Sequence, residues 1–168
     1  MLGIVLDRVI TNHEMNKFVE ETDLQAVQVD RSMDLFLRGL RDGIVNMAND
    51  PILRNGGSIA LYTEGEAGAD GMIAMDPQAK GGFALQAYQL FQRYAEENKE
   101  AISVISYGTT DGGYLQYPAV KRKKGYDSRK RDWFKDSMAD INAVRITKPF
   151  KTSKGTPTVG IFATVKDM

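Results

Sequence analysis

The stretch from Asp7 to Asn49 contains no proline, and its only glycines are Gly39 and Gly43. With no residue that breaks the intrachain hydrogen bonds, it reads as one long helix. Met33, Leu37, Leu40, Ile44 and Met47 follow at spacings of 4, 3, 4 and 3, the seam of an amphipathic or coiled helix. Upstream, Phe18, Val19, Leu24, Val27 and Val29 hold no single register. A helix of about 40 residues is about 60 Å long, more than the width of a small domain, so half of it extends beyond any one core. The alternative is two helices with an unmarked break. Asn49-Asp50-Pro51 ends the segment, because the residue before proline is pushed out of the helical region.

The remaining chain is patterned differently. Gly56-Gly57 and Glu64 to Gly71 read as loop. Asp76-Pro77 looks like an N-cap followed by proline, and Phe83, Ala87, Leu90, Phe91 and Tyr94 then recur at helical spacing to about Glu100. Beyond it the period falls to two. Residues 101 to 107 and 114 to 117 read as strands about a Thr110-Asp111-Gly112-Gly113 turn. A short helix is expected over 132–139, and two further strands over 144–147 and 159–165. Helices first and antiparallel strands afterwards make an α+β fold. The reading divides the chain into a stalk helix, residues 1–50, and a binding module, residues 51–168.

Composition removes whole classes of function. There is no cysteine and one histidine, His13, so a disulfide framework, a thiolate zinc site, a cysteine nucleophile and histidine-based triads find no parts; no metal or cofactor is expected. The net charge of zero hides an asymmetry: residues 1–100 carry 9 basic and 16 acidic side chains, and residues 101–168 carry 13 and 6. No apolar run is long enough to span a bilayer, and Leu2 to Leu6 is too short for a signal-peptide core.

Lys121 to Arg131 puts seven cations in eleven residues beside Tyr117, Tyr126 and Trp133. Nucleic acid is not the expected partner, because the acidic half of the chain offsets this run, and a solvated loop is the simpler reading. Within it, Arg131 and Trp133 stand two apart; on an extended strand both point the same way, and a guanidinium fork beside an indole N–H receives a carboxylate well. The competing role for Arg131 is a structural pair with Asp111 or Asp136 while Trp133 fills core. An enzyme would need two of Asp111, Asp127, Asp132 and Asp136 in one cleft with separated pKa values, and no nucleophile or metal cluster accompanies them.

The order of these segments resembles the extracytoplasmic Cache sensor domains of bacterial chemoreceptors and sensor kinases, most of all the membrane-distal module of double-Cache domains. The residues that carry the resemblance are the helix-ending Ala48-Asn49-Asp50-Pro51 corner, the Thr109 to Gly113 hairpin, and Tyr126-Asp127-Ser128-Arg129-Lys130-Arg131-Asp132-Trp133-Phe134. The last matches a Tyr-Asp-Pro-Arg-x-Arg-Pro-Trp-Tyr motif, with Ser128, Asp132 and Phe134 departing from it. Pro149-Phe150 and Ser153-Lys154-Gly155 close the pattern.

The resemblance implies a PAS-like antiparallel sheet of about five strands beside the stalk and no second module within this length; the family's usual last strand has no counterpart before Met168, which fits a truncated chain, a disordered end or a shorter relative. It implies that Arg131 and Trp133 hold a ligand carboxylate and that Tyr107, Tyr126, Phe150 and Thr152 line the pocket. Phe150 lacks the hydroxyl, and Thr152 the charge, found at the corresponding positions of amino-acid-binding relatives. A buried ammonium without an anion is costly, so a small organic acid is expected rather than an amino acid. The implied setting is a periplasmic domain of a membrane-anchored methyl-accepting chemotaxis protein, with transmembrane segments on either side and weak homodimerisation through the stalk. The alternative is an amino-acid sensor of a histidine kinase or diguanylate cyclase.

Overall fold

The computed structural model describes residues 2–152 and 155–166, with side chains from residue 13 onward. It is α+β, as the segment order predicts. The chain forms two compact units, residues 1–43 and 44–168.

The first unit is a single stretch of helix α1, which runs unbroken over Leu2–Ala48. The absence of proline is realised as continuity. Met15, Phe18, Leu24, Val29, Met33 and Leu35 are all exposed on it, and Leu37 and Leu40 are half-buried. Local support comes from i,i+4 pairs, Lys17 with Glu21 and Arg38 with Asp34, each worth a few tenths of a kcal/mol on a solvated helix.

The second unit begins inside α1, whose Met47 and Ala48 are buried. The Asp50 carboxylate then accepts the Ile52 N–H at 2.8 Å and caps the short helix α2 (Pro51–Arg54). Its Leu53 joins Met47 in a core with Ile59, Leu90, Phe91, Ile105 and Leu115. The helix expected from Asp76 to Glu100 is instead two, α3 (Pro77–Lys80) and α4 (Gly82–Glu97). Gly81 between them and Gly82 at the start of α4 have φ of 64° and 51°, a conformation that other residues resist. Ala84, Ala87, Leu90, Phe91 and Ala95 form the buried stripe of α4, each large member adding about 2 kcal/mol by leaving water.

Among the described residues strand pairing gives four antiparallel two-stranded ribbons where the resemblance implies about five strands in one sheet. β1 (Met72–Ala74) pairs with β4 (Lys121–Lys123), and β2 (Ile105–Gly108) with β3 (Tyr114–Tyr117). β5 (Arg145–Ile146) pairs with β8 (Ile161–Phe162), and β6 (Phe150–Lys151) with β7 (Pro157–Thr158). β2 is shorter than the apolar run that announces it: residues 101–104 precede it as turn and coil. The basic Lys121–Lys123 segment, read from sequence as solvated loop, is a strand. Helix α5 (Asp132–Ala139) falls where the sequence puts it.

The β2–β3 hairpin positions everything that follows. Its register sets Tyr107 opposite Leu115, Ser106 opposite Gln116 and Gly108 opposite Tyr114. Side chains alternate across a strand, so Ile105, Tyr107, Leu115 and Tyr117 face one way, against α4, and Ser106, Gly108, Tyr114 and Gln116 face the other.

Candidate ligand-binding site

The segment from Tyr126 to Phe134 is built around Asp127. Its carboxylate accepts the Arg129 backbone N–H at 3.0 Å, capping a 3-10 turn over Ser128–Lys130, and receives the Arg129 fork at 2.9 and 3.0 Å. The Arg129 hydrogen bonds hold the Asp127 carboxyl below its ordinary value. Arg129 also donates to the Thr110 carbonyl at 3.3 Å, tying this segment to the β2–β3 turn. In that turn Asp111 accepts from the Thr109 hydroxyl and from the Gly113 N–H, and those bonds lower its pKa as well.

Arg131 closes the 3-10 turn with extended backbone and leads directly into α5. Trp133 therefore lies in the first turn of a helix, not two places along a strand, and the two side chains make separate contacts. The exposed Arg131 guanidinium lies 5.7 Å from the centroid of the Tyr126 ring. The Trp133 indole stacks on Phe162 at 6.0 Å and meets Phe134 edge-on at 5.7 Å. It also reaches Gly108: a Cβ there would stand 3.0 Å from the indole and 2.8 Å from Ser128 Oγ. A residue without a side chain at position 108 is what lets this segment close on the hairpin.

The hairpin face turned toward this segment carries a cluster that the sequence reading did not single out. Arg122 of β4 donates through Nη2 to the Tyr114 hydroxyl at 3.0 Å and to Gln116 Oε1. Its guanidinium sits 5.1 Å from the Tyr114 ring centroid and 4.9 Å from that of Tyr126. Tyr114 donates to Gln116 at 2.8 Å, and Tyr62 closes the cage edge-on to both Tyr114 and Tyr126. Tyr62 is 1% exposed, and burial pushes its phenol up to about 12, offset in part by Arg122. Burial raises Tyr126 too, with Tyr114 adding to it. Three buried polar atoms here, Tyr62 Oη, Arg122 Nε and Ser128 Oγ, have no hydrogen-bond partner among the described residues. The signal that could have found Arg122 is period two: on β4 it is half-buried between exposed Lys121 and Lys123.

The site residues expected from sequence separate accordingly. Tyr126 and Arg131 are in contact, and Trp133 approaches the same hairpin face through Gly108. Tyr107 is on the opposite face, where its ring packs against Phe83 and Phe91 of α4. Phe150 is 48% exposed on the β6–β7 ribbon. Thr152 stands in the turn of that ribbon, its hydroxyl accepting the Thr156 N–H at 3.2 Å. Neither of these two enters the ring and guanidinium contacts of Tyr126, Arg131 and Trp133 among the described residues. Ser153 and Lys154 of the expected closing turn lie outside the described residues. An open cleft of about 540 Å³ between Ile59 to Leu61, Glu64 and the Lys80 to Ala84 segment contains none of the expected site residues. Among the described residues no group of acidic or histidine side chains could hold a metal ion, and no helix is long and apolar enough to cross a membrane.

No family model matches the chain. It is similar to methyl-accepting chemotaxis protein McpA of Bacillus subtilis, 36% identical over 78 residues that make up 46% of this chain and 12% of that protein. McpB of the same organism is 32% identical over 78 residues with the same shares, and TlpA 30% identical over 64 residues, 38% of this chain and 10% of that protein. The matched stretches thus span about one tenth of the length of these curated relatives. In structure the chain is similar to the ligand-binding domain of the amino acid chemoreceptor PctC of Pseudomonas aeruginosa PAO1, solved in complex with GABA. The TM-score is 0.56 at 17% identity, over 82% of this chain and 50% of that one. The relatives by sequence are chemotaxis receptors, and the neighbour by fold is a chemoreceptor ligand-binding domain.

Proposed function

We propose that this chain is the extracytoplasmic ligand-sensing domain of a membrane-anchored methyl-accepting chemotaxis protein, a Cache module that binds a small organic acid at Arg131 and Trp133 without chemistry. The observation that carries the ligand class is the Arg131 guanidinium: exposed, seated on the Tyr126 ring, and paired with no acidic side chain among the described residues. The structural role considered for it, a pair with Asp111 or Asp136, is not made. Asp127, an acid of the same motif, is occupied by Arg129. A planar guanidinium with free donors beside an aromatic ring is suited to a carboxylate. The likeness to chemotaxis receptors supports the sensory role, and the exposed apolar residues of α1 support weak pairing of two copies through that helix.

In such a receptor, binding would draw the Tyr126–Trp133 segment and the hairpin together around the ligand. The signal can be no larger than the ligand's difference in affinity between the two states. An amino acid is the second reading, favoured by the GABA-bound fold neighbour. It needs an anion facing the ammonium, and Asp111 of the hairpin turn and Asp127 of the motif are both engaged, by Thr109 and by Arg129.

Titration calorimetry with acetate, lactate, pyruvate, GABA and α-amino acids against the unaltered chain and Arg131→Ala tests the reading. Because this guanidinium is solvent-exposed, the expected loss lies well below that of a desolvated ion pair, about 1 kcal/mol or roughly fivefold in affinity. Equal affinity in both proteins, or a clear preference for an unmodified amino acid, would sink it.

A further inference from the structure

Arg122 belongs to no role described so far. It is a half-buried cation whose hydrogen-bonded partners, Tyr114 and Gln116, are both neutral, and no acidic side chain pairs with it among the described residues. Its Nε is buried without a partner, and so is the hydroxyl of Tyr62, the third ring of its cage. Aromatic faces and neutral acceptors compensate a desolvated guanidinium only in part, and a buried charge ordinarily has a counter-charge. Moreover, Arg122 and Arg131 share one ring: their guanidinium carbons lie 4.9 and 5.7 Å from the Tyr126 centroid. The two cations are therefore no farther apart than the sum of those distances. A four-carbon chain with a carboxylate at each end, each engaged by a guanidinium fork, covers such a span.

We infer that the site takes a dicarboxylate, with Arg131 receiving one carboxylate at the exposed end and Arg122 the other from within the tyrosine cage. This rests on the reading of Arg131 given above and adds the second anchor. A monocarboxylate would leave one of two neighbouring cations uncompensated, whereas a dianion satisfies both. The Tyr62 hydroxyl, beside Arg122, is a further donor of the right kind for the inner carboxylate. Tyr114 and Gln116 both accept from Arg122 Nη2 and hold its fork in place before a ligand arrives.

The test is calorimetric titration of the whole chain with succinate and with acetate, in the unaltered form and in Arg122→Gln, Arg122→Lys and Arg131→Gln, with circular dichroism to verify folding. The expected result is succinate binding at least tenfold tighter than acetate, a margin that Arg122→Gln erases and Arg122→Lys restores in part. Arg131→Gln is expected to weaken both acids. If acetate binds and succinate binds no tighter, or if Arg122→Gln keeps the margin, the dicarboxylate inference falls and the Arg131 reading stands. If neither acid binds, both fall. Should Arg122→Gln fail to fold, the succinate-to-acetate ratio of the unaltered chain decides alone.

Discussion

The two faces of the β2–β3 hairpin are made of alternate residues of the same strands and follow opposite rules. The α4 face, with Ile105, Tyr107 and Leu115 against Phe83, Leu90 and Phe91, is apolar packing in which each ring has a neighbour. The other face, with Ser106, Tyr114 and Gln116 under Arg122, Tyr62 and Tyr126, is a polar network with three buried atoms left over. Unmet hydrogen-bonding capacity lowers stability, so a fold retains it where something other than stability is at stake. One face holds the domain together, and the other is the face on which a ligand is proposed to bind.

The sharpest test of that division is Phe91→Ala. Phe91 is 1% exposed at the centre of the apolar face, and its truncation is expected to lower stability by about 3–5 kcal/mol in urea titration. A loss under about 1 kcal/mol would mean that the α4 face is not the main support. Alkaline pH should reach the other face. Tyr62 titrates at about 12 in the folded chain and near 10 when unfolded. The unfolded chain releases this proton first, so the stability linked to Tyr62 is fully present below pH 10. It is lost as pH rises toward 12, at about 1.4 kcal/mol per pH unit. Denaturation midpoints measured at pH 9, 10 and 11 should fall less steeply in Tyr62→Phe than in the unaltered chain. The smallest effect is expected from Arg122→Met. Removing the cation leaves Tyr114 and Gln116 bonded to each other, so stability should move by about 1 kcal/mol or less. A large loss would recast the cage as a structural element and blur the contrast between the faces.

The same contrast explains what could be read in advance. α1, α5, the Asp111 turn and the buried stripe of α4 rest on local signals: absent proline, helical period, turn chemistry and N-capping residues. Arg131, Trp133 and Tyr126 were visible as a motif. The break at Gly81 and Gly82 was missed because two glycines inside a periodic apolar pattern read as a weak helix rather than as its end. The strand over Lys121–Lys123 was missed because a run of four cations is ordinarily solvated, and here a partner strand, β1, with Asp70 bonded to Lys121, makes it an edge. Arg122 was hidden for the same reason: its direction depends on pairing that no local pattern encodes. Tyr107 shows the reverse, since its place in the chain lies beside Gly108 but strand alternation turns its ring to the far side.

The junction at the end of α1 has a mechanical meaning. Met47 and Ala48 are buried, Asn49 and Asp50 continue the hydrogen bonding to Val45, Asn46 and Met47, and the Asp50 cap starts the next helix without an intervening flexible segment. A few degrees of reorientation in the packing around Leu53 and α4 would have to appear as torsion in the last turn of α1, because that turn is itself part of the packing. The last turn of α1 is thus built into the same core as Leu53 and Leu90, so that whatever repacks this core repacks that turn with it.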